Sequence, residues 1–136
     1  MEIIKKSAFI KAIYNNIINT YGLKLSIENE NYIKLENENI IIKFITDRYY
    51  HNDDSIGNYI YNKKNNNGYL VLDISEKMGF YQSNYLPQNK REEMLALPDG
   101  ISKLIYTAAY FLEHYGDKIL EGDFSIREQK KLGNTL

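Results

Sequence analysis

The strongest periodicity in the chain lies toward its C-terminal end. Between Pro98 and Leu120, Ile101, Leu104, Ile105, Ala108, Phe111, Leu112, Tyr115 and Ile119 recur at three- and four-residue spacing, the apolar stripe of a helix resting on a core. Asp99 is placed to cap the first turn, Pro98 stops the preceding segment, and Gly122 closes a helix of roughly five turns. Lys103, Thr107, Tyr110, His114 and Asp117 fall largely on its other side. A second stripe, Ile10, Ile13, Tyr14, Ile17, Ile18 and Tyr21, runs into Gly22, a residue suited to a left-handed helix end. It predicts a helix over about residues 4–21.

Between the helices the period changes to two. Leu23, Leu25 and Ile27 alternate with Lys24, Ser26 and Glu28, then Tyr32–Glu36 alternates through Ile33 and Leu35. Ile40–Thr46 follows, with Ile40, Ile42 and Phe44 on one face and Ile41, Lys43 and Ile45 on the other, as in a central strand covered in part on both sides. Residues 55–62 and 69–75 read as two more strands, the last with Leu70, Leu72 and Ile74 on one face. The short polar links Asn29-Glu30-Asn31, Asn37-Glu38-Asn39 and residues 63–68 imply hairpins and antiparallel neighbours. Residues 76–98 are less regular, with a short helix expected within 89–97. Ser125 and Glu128 form a capping box for a last helix to about Leu132. The predicted fold class is α+β: an N-terminal helix, an antiparallel meander of four or five strands, and a long C-terminal helix followed by a short one. The helices are expected to pack on one sheet face. No linker or repeat divides the 136 residues, and a single domain is expected.

Composition narrows the chemistry. With no Cys, disulfides, thiolate nucleophiles and zinc–thiolate sites are excluded. No stretch reads as a signal peptide or membrane span, so a soluble, cytoplasmic protein without a membrane partner is expected. A net charge of −1 and a pI near 6.1 argue against a dedicated nucleic-acid binder. The charge is uneven. Glu28, Glu30, Glu36, Glu38, Asp47, Asp53 and Asp54 outweigh Lys34, Lys43 and Arg48 over residues 28–54, a net of −4. The abundant Ile, Asn, Lys and Tyr are also the residues of AT-rich codons, so the Asn runs are given little functional weight.

Candidate chemistry is sparse. His51, Asp53 and Asp54 are types that ligate metals or transfer protons, and they define the alternative of a small hydrolase or metal-dependent enzyme. Catalytic zinc takes three protein ligands, commonly with a second His, and the spacing here matches no such motif. Asn-Asp-Asp-Ser is ordinary turn composition, and that reading is preferred. His114 with Glu113 and Asp117 is a possible proton-transfer group, although the same trio describes an exposed helix face. Glu92 and Glu93 are adjacent, and on a helix they would point about 100° apart. No phosphate-binding loop, nucleophile elbow or metalloprotease motif is present, and no cofactor is expected.

The 13 Tyr residues, with no Trp, carry more information. Tyr49, Tyr50, Tyr59, Tyr61 and Tyr69 cluster in the middle strands beside Asp47, Arg48, Asp53 and Asp54. Aromatic and charged residues mixed on a sheet suit a protein interface, and the acidic surround favours a basic protein partner over nucleic acid. The alternative is that Tyr simply fills half-buried strand positions, for which it has good propensity. A structural homo-oligomer burying the Tyr-rich face is a further reading.

Three features carry a resemblance: the opening helix ending in Tyr21-Gly22, the Ile40–Arg48 strand running into Asp-Arg, and the Tyr-Gly-x-x-Ile-Leu-x-Gly-Asp sequence from Tyr115 to Asp123. In element order the chain resembles the small immunity proteins of bacterial polymorphic-toxin and contact-dependent inhibition systems. The resemblance implies a non-enzymatic antitoxin that binds one cognate toxin and blocks it. Asp47, Arg48, Tyr49, Tyr50, Asp53, Asp54, Tyr59 and Tyr61 are the residues expected to meet that partner. The near-neutral net charge departs from the strongly acidic inhibitors of basic nucleases.

Overall fold

The computed structural model describes residues 3–46, 56–81 and 84–125. The opening stripe folds as two helices, α1 (Ile3–Ile13) and α2 (Asn15–Tyr21), where one was expected. The break falls at Tyr14, whose backbone lies at φ −89° and ψ 9°, outside the α basin. Asn15 and Asn16 follow, and short amide side chains compete for the backbone partners a helix needs. Bonds from Tyr14 N–H to Ile10 O and from Ile18 N–H to Tyr14 O, both 2.8 Å, carry the helical ladder across the break. Gly22 closes α2 at φ 64°, as its position implied.

The alternating segments form β1 (Lys24–Asn29), β2 (Tyr32–Glu36), β3 (Ile40–Thr46), β4 (Ile56–Asn62) and β5 (Asn67–Leu70). Strand order in the sheet equals chain order, and every neighbour is antiparallel. The asparagines between strands have a structural role. Asn29 Oδ1 accepts from Asn31 N–H at 2.8 Å, Asn37 Oδ1 from the N–H groups of Asn39 and Ile40 at 2.8 and 3.0 Å, and Asn65 Oδ1 from Asn67 N–H at 3.0 Å. These are side-chain-closed turns. Asn66 takes φ 59°, a left-handed geometry that Asn tolerates better than most residues.

The expected strand over 69–75 is corrected: β5 ends at Leu70, and the chain turns directly into α3 (Val71–Lys77). The buried residues there are Val71, Ile74 and Ser75, which share a face at helical spacing. Then come α4 (Gln88–Leu95), α5 (Gly100–Tyr115) and α6 (Asp117–Leu120). Asp99 caps α5 as predicted, its carboxylate accepting from Ser102 N–H at 2.7 Å. The long helix is shorter than its stripe implied, because Gly116 stops it and Gly122 closes only α6. A Cβ on Gly116 would lie 2.9 Å from Leu112 Cα, so the chain passes too close there for any side chain. The capping box at Ser125 and Glu128 and the helix after it lie outside the described residues. Asp99→Ala should lower stability by about 1 kcal/mol, read as a reduced urea midpoint; an unmoved midpoint would remove the cap from the account of α5.

One sheet face is sealed by helices. Ile33, Leu35, Ile40, Ile42, Phe44 and Ile60 pack there with Ile10, Tyr14 and Ile17 from the opening helices and Ile105, Ala108, Phe111 and Leu112 from α5. Each Ile, Leu or Phe among them contributes roughly 1.5–3 kcal/mol by leaving water. Met78, Phe80 and Tyr85 pack against this core. Phe80 stacks on Tyr115 with centroids 4.4 Å apart and meets Tyr85 and Phe111 edge-on at 5.4 and 5.8 Å, an aromatic clasp along α5.

Candidate functional site: the open face of the sheet

The helices take one face of the sheet, and alternation sends the remaining side chains to the other. Register aligns Tyr32 with Ile45, Lys34 with Lys43, Ile41 with Tyr61, Lys43 with Tyr59, Tyr59 with Leu70 and Tyr61 with Gly68. These side chains are half-buried against one another, apart from the more exposed Leu70. Two glycines shape the centre. A Cβ on Gly57 would lie 2.5 Å from Tyr59 Cε2, and a Cβ on Gly68 would run into the Tyr61 ring. Each ring occupies the space that a side chain on its glycine would fill, so aromatic surface lies low over the strands. The two ring centroids are 6.4 Å apart.

Charge is distributed unequally around this centre. Lys34 Nζ bridges Glu28 and Glu36, at 3.2 Å from each, and Lys63 Nζ reaches Glu36 at 2.7 Å. Hydrogen bonds donated to Glu28 and Glu36 hold Lys34 protonated above the ordinary lysine range, and those accepted from Lys63 and then Lys34 hold Glu36 below the ordinary carboxylate range. Lys43 differs. Its ammonium sits 4.1 Å from the Tyr61 centroid and 5.5 Å from that of Tyr32, within cation–π reach of both. It has no carboxylate partner among the described residues.

Of the residues expected to meet a partner, Tyr59 and Tyr61 come together here, while Asp47, Arg48, Tyr49, Tyr50, Asp53 and Asp54 lie outside the described residues. So do His51 and Ser55. Tyr69 is placed on the other face, its ring 5.7 Å from that of Phe124. Tyr32, Ile41, Lys43 and Ile45 join the patch instead. The alternation of β3 had separated Ile41, Lys43 and Ile45 from the core face, but only cross-strand register could bring them to the tyrosines.

The other candidates disperse. His114 Nε2 is 4.0 Å from Glu113 Oε2, too long for a hydrogen bond, and its ring packs on Tyr110 at 4.1 Å. The second oxygen of Glu113 accepts from Asn16 Nδ2 at 2.8 Å, which ties α5 to α2. Glu93 accepts from the Tyr106 hydroxyl at 2.6 Å, whereas Glu92 accepts from Gln88 Nε2 at 3.4 Å, so the adjacent carboxylates serve separate partners. A cleft of about 330 Å³ between α3, α4 and α5 is lined by Leu72, Ser75, Tyr85, Met94, Lys103 and Leu104, among others. Burial pushes the Tyr85 hydroxyl up to about 12, and no nucleophile there is paired with a base. Among the described residues no three His, Asp or Glu side chains converge on a metal position, and no helix is long and apolar enough to cross a membrane.

No family model, curated protein or solved structure matches the chain.

Proposed function

We propose that this protein is a non-enzymatic protein-binding module, and specifically an immunity protein that neutralises a cognate bacterial toxin by binding it in the cytoplasm. The observation that carries the binding reading is the open sheet face. Two low-lying tyrosines, Tyr59 and Tyr61, with Ile41 and Ile45, form an apolar centre beside the charged chain Glu28–Lys34–Glu36–Lys63. An apolar, Tyr-bearing centre with charge at its border is the anatomy of a protein interface. The segment carrying Asp47, Arg48, Tyr49, Tyr50, Asp53 and Asp54 joins β3 to β4 in the sequence, and these residues complete the proposed contact set. The toxin reading rests on the resemblance in element order to immunity proteins.

The test is to read the adjacent upstream reading frame, which this reading expects to encode a large protein with a variable C-terminal domain, and to co-express that domain with the chain. The wild-type chain should relieve growth arrest by that domain and form a stoichiometric complex with it. A Tyr59→Ala/Tyr61→Ala variant that still melts cooperatively should bind at least about 30-fold more weakly, the effect of losing about 2 kcal/mol at an interface hot spot. No arrest, or protection that survives loss of both tyrosines, would overturn the assignment of toxin and face respectively. Purification of the chain alone as a stable dimer that hides this face would favour the homo-oligomer instead.

A further inference from the structure

We propose that Lys43 is an anion anchor at the centre of the open face, receiving one carboxylate of the protein partner from an acidic side chain set among aliphatic ones. The inference rests on the protein-binding reading and adds the chemistry of the contact. Lys34 and Lys63 both bind carboxylates within the chain. Among the described residues Lys43 has only the faces of Tyr61 and Tyr32, which attract a cation without neutralising it. Register also places Lys43 directly opposite Lys34, and like charges facing each other across a sheet are destabilising.

Apart from the two ring faces, nothing among the described residues favours a cation here. The flanking residues on the same face, Ile41 and Ile45, are half-buried aliphatics, and a third aliphatic would continue the row. What the lysine supplies is a positive charge on an apolar floor, met by no carboxylate among the described residues. A carboxylate docking there would be shielded from water by the Tyr61 and Tyr59 rings, and a charge-assisted hydrogen bond strengthens as water is excluded.

A nucleic-acid strand is disfavoured by the same map. It needs a row of available cations along its phosphates, but Glu28 and Glu36 engage the neighbouring lysine and would repel them. The sequence expectation of a basic partner came from Asp47, Asp53 and Asp54. The described part of the patch selects the opposite charge, so the matching partner surface carries an acidic residue facing Lys43.

The test uses a random 12-residue peptide library displayed on phage and selected on the immobilised full chain, with enriched peptides remeasured in solution by fluorescence anisotropy. Enriched peptides should share an Asp or Glu flanked by aliphatic residues. Their affinity should fall about tenfold or more for Lys43→Met and further for Lys43→Glu, and should largely return for Lys43→Arg. Changing the peptide acid to its amide should remove the same factor from wild type and nothing further from Lys43→Met. Thermal melts of each variant check that the fold persists. Peptides lost with Tyr59→Ala/Tyr61→Ala but indifferent to Lys43→Glu would overturn the anchor and leave the docking face standing. Peptides indifferent to both would overturn the docking face as well, as would a library that yields no binder. Oligo(dT) binding that depends on Lys43 and exceeds that of every peptide would replace the protein partner with single-stranded nucleic acid.

Discussion

Phe44→Ala is expected to remove about 3–5 kcal/mol of stability, a large share of the roughly 5–15 kcal/mol available to a domain of this kind. Phe44 lies on central strand β3 with 1% of its surface exposed, opposite Ile33 and Asn58. Tyr14 meets its ring edge-on, with centroids 5.3 Å apart. Truncation deletes the largest β3 side chain at the contact between sheet and opening helices, along with an aromatic pair worth about 0.5–1.5 kcal/mol beyond area. The void would close poorly, because β2 and β4 are hydrogen-bonded to β3 on either side and hold the floor in place. With no Trp in the chain, far-UV circular dichroism across a urea titration is the natural probe. The midpoint should fall with an unchanged slope. A loss below about 1 kcal/mol would mean that Phe44 does not sit between these layers.

The second large effect is expected at Tyr14 itself. Its hydroxyl donates to Asn58 Oδ1 at 3.2 Å, and Asn58 Nδ2 donates on to Lys43 O at 3.3 Å. Tyr14→Phe leaves a buried amide oxygen without its donor and should cost about 1–3 kcal/mol. Asn58→Leu should cost a similar amount by orphaning the hydroxyl. Together the two changes replace both ends of the bond with apolar groups, and the double variant should be far more stable than the sum of the single losses predicts. Additivity within about 0.5 kcal/mol would show that the bond does not form. Burial, the main cause, also pushes the Tyr14 hydroxyl far above the ordinary tyrosine range, outweighing the Asn58 bond. The neutral form is the one that folds. Its contribution is therefore full below about pH 10, the ordinary tyrosine value, and declines as pH rises above it; Tyr14→Phe should lose that part of the alkaline destabilisation.

Legibility followed periodicity. Alternation in Tyr32–Glu36 and Ile40–Thr46 matched β2 and β3, and the Asp99 cap and Gly22 stop were readable because each depends on a residue's own backbone chemistry. Errors arose where two periods coincided. Leu70, Leu72 and Ile74 alternate, but Val71 and Ile74 are also three apart, and tertiary packing against α5 and β4 selected the helix. The break at Gly116, where a Cβ would meet Leu112 one turn back, was masked by an apolar stripe that continues through Tyr115 and Ile119. At the site, Tyr59 and Tyr61 were visible as a cluster, but their neighbours come from register. Lys43 lies 16 residues before Tyr59 and 18 before Tyr61 in the chain, yet faces the first and holds its ammonium over the ring of the second. The polar links read as turns at Asn29–Asn31, Asn37–Asn39 and residues 63–68 are hairpin turns, and what the sequence left open was which amide oxygens close them: those of Asn29, Asn37 and Asn65.

The strict correspondence between strand order and chain order sets a schedule for synthesis. Each hairpin can pair with the strand made just before it, so β1, β2 and β3 have their partners early. Their greasy side does not: α5, which seals it, begins at Gly100, 54 residues after β3 ends at Thr46. At a translation rate of ~5–20 residues per second that gap lasts about 3–11 s. During it, Ile40, Ile42 and Phe44 lack the cover of α5. The nascent chain is thus a ribosome-bound sheet with an unfinished roof, and slow codons or a stall before Gly100 would expose it to chaperones and to neighbouring copies of itself.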